Sequence, residues 1–279
     1  MSRQHEAVAS QKFQVRVNGT VLHGTGWAGP SPSVVLLHAG VCDRRSWDEA
    51  GDRLSTAHAV IAYDRRGFGD TEPGSSPFSH VEDLIAVLDA VTSGPAWLAG
   101  SSAGGEVALD TALLAPQRVA GLVLFAPAVS GVAQPAEYDA ATQRLSDLVD
   151  IAVAAGDLAE ANRLETWVWL DGPEGPEGRV SGPVRDLALA MHAIVLGNGD
   201  PENAGRSSAD AWNHLTQITV PVTVACGDLD LPFLINLSDD LADRLPAGHG
   251  RVLPGMAHLP YLEQPDLVAQ VITEAISRS

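Results

Sequence analysis

The clearest regularity in the chain is a set of short apolar runs, at 33–38, 59–63, 96–99, 121–126 and 220–226, that do not alternate with polar residues. Unbroken runs rich in β-branched residues fit strands covered on both faces, as in a parallel sheet. Between them lie stretches of helical length. Residues 80–91 place Val81, Leu84, Ile85, Leu88 and Val91 at three-to-four spacing, which makes one apolar face. Residues 104–114 are small and apolar almost all round, the pattern of a buried central helix. Residues 234–245 and 266–276 repeat the amphipathic pattern. Strands alternating with helices predict right-handed crossovers and an α/β fold with a mostly parallel central sheet. The opening stretch, 12–27, alternates instead around Asn18-Gly19, a hairpin signal. The sheet is therefore expected to begin antiparallel and become parallel.

This rhythm breaks at 130–212, where no strand-like run occurs. Helical periodicity appears at 136–154 and 158–170, then a Gly/Pro-rich break at 171–178, then a third helical stretch at 184–196. A helical block between two strands of an α/β sheet reads as a cap, or lid, over the strand ends. The expected division is a core made of 1–129 and 213–279, with 130–212 as the insertion. Three of the six tryptophans, Trp167, Trp169 and Trp212, fall in the insertion. They are candidates for a substrate pocket, and the alternative is that they form the core of the cap itself.

Composition narrows the class. A chain of 279 residues with 45% hydrophobic and 19% charged residues can bury a substantial core without disulfides or metals. Lys and Arg number 17 against 35 Asp and Glu, a net charge of -18. That balance argues against a nucleic-acid partner or docking on anionic lipid. It does not identify a substrate. Cys42 and Cys226 are too few for a disulfide scaffold, and each is expected to be a small buried residue. Residues 1–12 are polar and carry no apolar signal-peptide stretch, so a cytoplasmic location is expected.

Candidate chemistry begins at Gly100-Ser101-Ser102-Ala103-Gly104, a G-x-S-x-G pattern. A nucleophilic serine on a tight strand-to-helix turn needs small residues two before and two after it, so that neighbouring backbone can approach. Here an apolar run enters the motif and a helical stretch leaves it. A serine needs a base. Among nine histidines, His258 alone combines a late position, a strand-end loop after 251–253 and glycine flanking. His5 and His249 read as exposed, and His192 and His214 lie in the insertion or its exit. The base needs an acid to hold its tautomer. Asp228 and Asp230 both follow the run at 220–226, at the carboxyl end of a strand where α/β sheets place their ligands. Asp230 is preferred because Gly227-Asp228-Leu229 gives the loop room to turn, which leaves Asp228 as a loop-shaping residue. His38-Ala39-Gly40 follows the run at 33–37 and is the second candidate source of oxyanion donors, with Gly40 beside the N–H of Ala103. His38 is expected to buttress that loop. Gly24-Thr25-Gly26-Trp27-Ala28-Gly29 matches G-x-G-x-x-G, but Pro30 and Pro32 follow and no helix opens there, so no dinucleotide site is expected.

Together these residues resemble the α/β-hydrolase superfamily, in the chain order Ser102, Asp230, His258. The resemblance runs from about Phe13 to Ile276. It includes Asp64-Arg65-Arg66-Gly67-Phe68-Gly69, similar to the family's D-x-R-G-x-G loop, and Trp47 beyond the oxyanion loop. The chain departs from the family at Ala39, where His-Gly is usual. The resemblance implies an α/β-hydrolase fold and a serine esterase or lactonase that needs no cofactor and acts on a small, largely apolar molecule. Other uses of the same triad in similar families are carbon–carbon bond hydrolysis, enol-lactone hydrolysis and perhydrolysis, the last suggested by Gly104-Gly105-Glu106-Val107-Ala108. A slow-turnover ligand-binding or signalling protein is the alternative outside catalysis. Ser102 separates the chain from members with an aspartate nucleophile.

Overall fold

The computed structural model describes residues 10–133, 135–199, 204–205 and 207–279. The expectations for His5 and for the polar start of the chain fall outside them. Two strands open the sheet, β1 (Gln11–Val17) and β2 (Thr20–Trp27), paired antiparallel with Val17 opposite Thr20 across the Asn18-Gly19 turn. Then follow β3 (Ser33–Leu37), helix α1 (Asp48–Leu54), β4 (Ala59–Tyr63) and α2 (His80–Val91). The centre of the chain supplies β5 (Ala96–Ser101), α3 (Ala103–Leu114) and β6 (Val119–Phe125). Helices α4 (Ala140–Ala154), α5 (Leu158–Thr166), α6 (Pro183–Asn198) and α7 (Ala211–His214) come next. The chain ends with β7 (Val222–Gly227), α8 (Pro232–Arg244), β8 (Gly248–Leu253), α9 (Pro260–Glu263) and α10 (Pro265–Ser277).

The strand order is β1-β2-β4-β3-β5-β6-β7-β8. The β2–β4 pair is antiparallel, and every later pair is parallel. This is the mixed sheet that the alternating opening and the later apolar runs predict. Successive side chains on a strand point to opposite faces, and β3 shows the consequence. Val35 and Leu37 join one buried cluster with residues of α2, α3 and α8, while Val34 and Leu36 join another with residues of α1 and α10. The strands thus have apolar cover on both sides. Cys42 and Cys226 are buried and free. Residues 24–29 lie in β2 and the turn after it, and no helix follows. Among the described residues, no helix is long and apolar enough to cross a membrane.

Helices α4 and α5 carry a small apolar cluster of their own: Leu145, Ala152, Ala161, Leu164 and Val168, with Leu231 from the strand-end side. Asp139 caps α4 by accepting from the N–H groups of Ala141 and Thr142, both at 3.0 Å. After α5 the backbone widens into a single π-type turn, Trp167–Asp171.

Candidate active site

The turn between β5 and α3 is strained at one residue. Ser102 has φ 50° and ψ −120°, a left-handed conformation for a residue with a Cβ. Such a residue costs on the order of 1–3 kcal/mol and persists only where its surroundings hold it. Here the holding is explicit. Ser102 N–H donates to Phe125 O at 3.0 Å, and its carbonyl accepts from Gly105, Glu106 and Ala128 N–H at 2.8, 3.1 and 3.0 Å. The two flanking glycines are sterically required. A Cβ on Gly100 would sit 2.4 Å from Gly104 O, and one on Gly104 would sit 2.3 Å from Leu37 O. The serine is therefore lifted off the sheet at the N-terminus of α3, where N–H groups have no intrahelical acceptor and the helix dipole favours negative charge.

Asp230 and His258 meet at the ends of β7 and β8. His258 Nδ1 lies 2.8 Å from Asp230 Oδ2, and both side chains are buried. An ionised carboxylate only accepts, so Nδ1 carries the proton and Nε2 is left as a basic acceptor. The other oxygen, Asp230 Oδ1, accepts from Leu231 N–H at 2.7 Å, which fixes the carboxylate plane. Asp228 does a different job: it is exposed, and its Oδ1 accepts from Gly255 N–H at 2.6 Å in the loop that carries His258. The same loop is tied further on, where Ala257 N–H donates to Glu263 Oε1 at 2.8 Å and Arg179 pairs with Glu263 at 2.6 Å.

Ser102 lines a cavity of about 710 Å³. Trp169 lines it too, and its ring lies 4.7 Å from that of His258, centroid to centroid. Ser102 and Trp169 therefore share one cavity of a size usual for small-molecule sites, and the His258 ring lies against Trp169. The other two tryptophans are placed elsewhere. Trp167 turns away to donate from Nε1 to Gly175 O at 2.9 Å, with Arg144 over its ring. Trp212 packs on the core with Arg244 3.9 Å from its ring centroid. Neither lines the cavity. For Trp167 against Trp169 the reason is helical geometry, since side chains two positions apart on a helix point to different sides; Trp212 lies on a separate element, α7.

The cavity lining is divided. One part is apolar and includes Val107, Val129, Leu231, Phe233 and Leu237. The other holds His80, Glu106, Asp110 and Ser130. Burial raises the Glu106 carboxyl above its ordinary value, and neighbouring Asp110 adds to the rise. Asp110 is raised by burial as well and accepts from Ser130 Oγ at 2.6 Å. Burial beside Arg65 and Arg66 lowers His80 to about 3, so it is neutral at ordinary pH. Glu106 is one helical turn beyond Ser102, and that four-residue spacing was the available signal for a second pocket residue on α3. Nothing in the sequence marks Arg179 or Glu263, whose meeting depends on tertiary placement.

On the opposite side of Ser102, the 38–40 loop approaches the start of α3. A Cβ added to Gly40 would lie 3.9 Å from Ala103 Cβ. Among the described residues, neither the Gly40 N–H nor the Ala103 N–H has a backbone acceptor. His38 is fully buried beneath this loop, and burial together with the Arg65 cation holds its pKa well below the ordinary imidazole value.

The alpha/beta hydrolase family model matches residues 34–271. A pimeloyl-[acyl-carrier protein] methyl ester esterase of Vibrio campbellii is 28% identical over 250 residues, covering 85% of this chain and 91% of that protein. The dihydrolipoyllysine-residue acetyltransferase component of an acetoin cleaving system of Pseudomonas putida is 36% identical over 286 residues, covering 96% of this chain and 69% of that protein. Among solved structures, an esterase from a Rhodococcus species superposes with a TM-score of 0.76 at 24% identity, covering 96% of this chain and 98% of that one. With a family match across most of its length and the sheet order described above, the chain belongs to the alpha/beta hydrolase family.

Proposed function

We propose that the protein is a serine hydrolase that cleaves a small carboxylic ester or lactone. The observation that carries this reading is the buried 2.8 Å contact between His258 Nδ1 and Asp230, at the strand ends beside the strained Ser102 turn. Ester hydrolysis as the reaction class is also supported by family membership and by the esterase among the relatives.

In this mechanism His258 Nε2 takes the Ser102 proton as Oγ attacks the substrate carbonyl carbon. Asp230 keeps the ring in the required tautomer and stabilises the imidazolium that forms. Negative charge develops on the former carbonyl oxygen, which accepts hydrogen bonds from the preorganised N–H groups of Ala103 and Gly40. The tetrahedral intermediate collapses, the C–O bond to the alcohol breaks, and His258 returns the proton to the leaving oxygen. Water, deprotonated by His258, then attacks the acyl-serine and releases the acid. Residues 130–212 act as a cap, with Trp169 as its contribution to the pocket wall. The apolar part of the cavity would hold the acyl or alcohol chain.

Ser102→Ala tests the reading. Hydrolysis of p-nitrophenyl acetate and butyrate should fall by at least about 10³-fold, with an unchanged circular dichroism spectrum. Undiminished turnover by the folded variant would overturn the proposal.

A further inference from the structure

The carbonyl of Ala39 is unusually well held. It accepts from Cys42 N–H at 3.3 Å, from Arg65 Nη2 at 3.2 Å, and from His38 Nδ1 at 2.8 Å. The His38 contact is a donation, because the other ring nitrogen, Nε2, accepts from Arg65 N–H at 3.1 Å. Arg65 Nη2 also donates to His38 O at 3.2 Å. Arg65 thus acts on the loop directly through its guanidinium and indirectly through the ring it orients with its backbone.

Arg65 is also a buried cation without a carboxylate partner. It is 4% exposed, and among the described residues it forms no ion pair. Its guanidinium carbon sits 4.6 Å from the Phe68 ring centroid. Burial lowers its pKa to about 10, which leaves it charged at neutral pH. The next residue is the contrast. Arg66 is equally buried and spends its charge on Asp83, through contacts of 2.7 and 2.9 Å. Among the described residues no carboxylate touches Arg65, although Glu106 acts on it from a distance, and a buried guanidinium without a contacting counter-ion is costly.

The Ala39 carbonyl and the Gly40 N–H are the two ends of one planar peptide unit. A cation donating to the oxygen draws electron density through that unit and makes its N–H a stronger donor. Three donors on the oxygen also prevent the plane from rotating. We propose that Arg65 is a positioning residue of the oxyanion site, fixing and polarising the Ala39–Gly40 peptide so that the Gly40 N–H is held ready for the developing charge. The positive field of Arg65 then favours the anionic intermediate over the neutral ester. The chain carries Ala39 where glycine is usual in the family, and a peptide between a non-glycine residue and Gly40 is fixed in this way by contacts to its oxygen. The inference rests on the serine-hydrolase reading.

The test compares an oxo ester with its thiono analogue, in which sulfur replaces the carbonyl oxygen and accepts hydrogen bonds poorly. The wild type, Arg65→Lys and Arg65→Met are assayed on both. Arg65→Met should lower kcat for p-nitrophenyl butyrate by about 10²-fold, the scale of losing one oxyanion donor, with KM changed by less than about threefold. The oxo-to-thiono ratio of kcat/KM should fall by at least about tenfold in Arg65→Met, and Arg65→Lys should recover part of it. This ratio does not depend on the fraction of enzyme that is folded, so partial unfolding of the variant cannot mimic the result. An unchanged ratio with a lower rate would make Arg65 merely structural and overturn the inference. So would wild-type kcat in Arg65→Met. Failure of the parent reading has a different signature: Ser102→Ala would keep its activity whatever Arg65 does.

Discussion

The strand-end loops and the helices between β6 and β7 both border the cavity, but they are held by different forces. In the loops the groups around the reacting centre are largely buried, and several are bonded in fixed directions. Ser102, Asp230 and the Ala39 carbonyl each have two or more partners, at 2.7–3.3 Å. A shift of any one strands a buried donor or acceptor, at about 1–3 kcal/mol for each group. The helical segment is held by a small apolar cluster, by the Arg179–Glu263 pair at 2.6 Å, and by one buried carboxylate, Asp171, that accepts from Gly178 and Val180 N–H and from Arg185 at 2.6–2.9 Å. The apolar packing there tolerates substitution better than a directed polar network. On the proposed reading, the chemistry falls to the more rigidly bonded part and selection to the more variable one.

This contrast can be broken at several points. The largest effect is expected within the loops. Asp230→Asn should lower kcat for p-nitrophenyl esters by about 10³–10⁴-fold, because an amide can present an N–H to His258 and reverse its tautomer. Asp228→Asn should cost less than about tenfold, since only its contact with Gly255 is affected. Comparable losses in the two variants would remove the assignment of the acid. In the helical segment, Trp169→Ala should change KM by about tenfold, to a degree that depends on acyl length, with a smaller change in kcat. Trp167→Ala should lower stability and leave KM alone. Steady-state kinetics across acetate, butyrate and octanoate esters distinguish them, and equal KM effects would contradict the separation drawn here.

The smallest effect is a pH dependence. His80 lies on the loop side of the cavity at the start of α2, and among the described residues its Nδ1 has no hydrogen-bond partner. Its folded pKa is about 3, below the ordinary histidine value of 6.5. As pH falls below about 6.5 the unfolded chain takes up a proton there and the folded chain does not. Stability should therefore drop on acidification from about pH 6.5 toward 4. His80→Gln removes this term, so the difference in melting temperature between wild type and variant should change across that range. A constant difference would mean that His80 titrates freely in the fold. His192, in the helical segment, is paired on both nitrogens, with Asn162 at 3.1 Å and Glu165 at 3.0 Å.

How much of this was legible in the sequence follows the same division. The apolar runs located the parallel strands because burial on both faces leaves no room for polar residues, and 59–63 and 80–91 coincide with β4 and α2. The edge strand β8 was seen only as 251–253, since its first half carries Gly248, His249 and Gly250. The short helix α1 went unpredicted: its apolar positions are only Ala50 and Leu54, and it is helical through packing against the core. At the site, strand order and glycine placement pointed to Ser102, Asp230 and His258, which the fold brings to the same end of the sheet. Trp167 and Trp169 were less readable, because the π-type turn at Trp167–Asp171 sets their directions and leaves no mark in composition. Arg65 reads as an ordinary charged residue in its motif. Its burial without a carboxylate in contact among the described residues, unlike that of Arg66, exists only in the assembled fold.

In the proposed mechanism Ser102 carries the acyl group between two half-reactions. The direct measurement is rapid acid quench of the enzyme during turnover of p-nitrophenyl acetate, followed by intact-mass and peptide analysis. The account predicts a stoichiometric burst of p-nitrophenol and one acetyl group on the peptide containing Ser102, with neither seen in Ser102→Ala. Turnover without a burst and with no acyl adduct on Ser102 at any quench time, or an adduct on another residue, would contradict it.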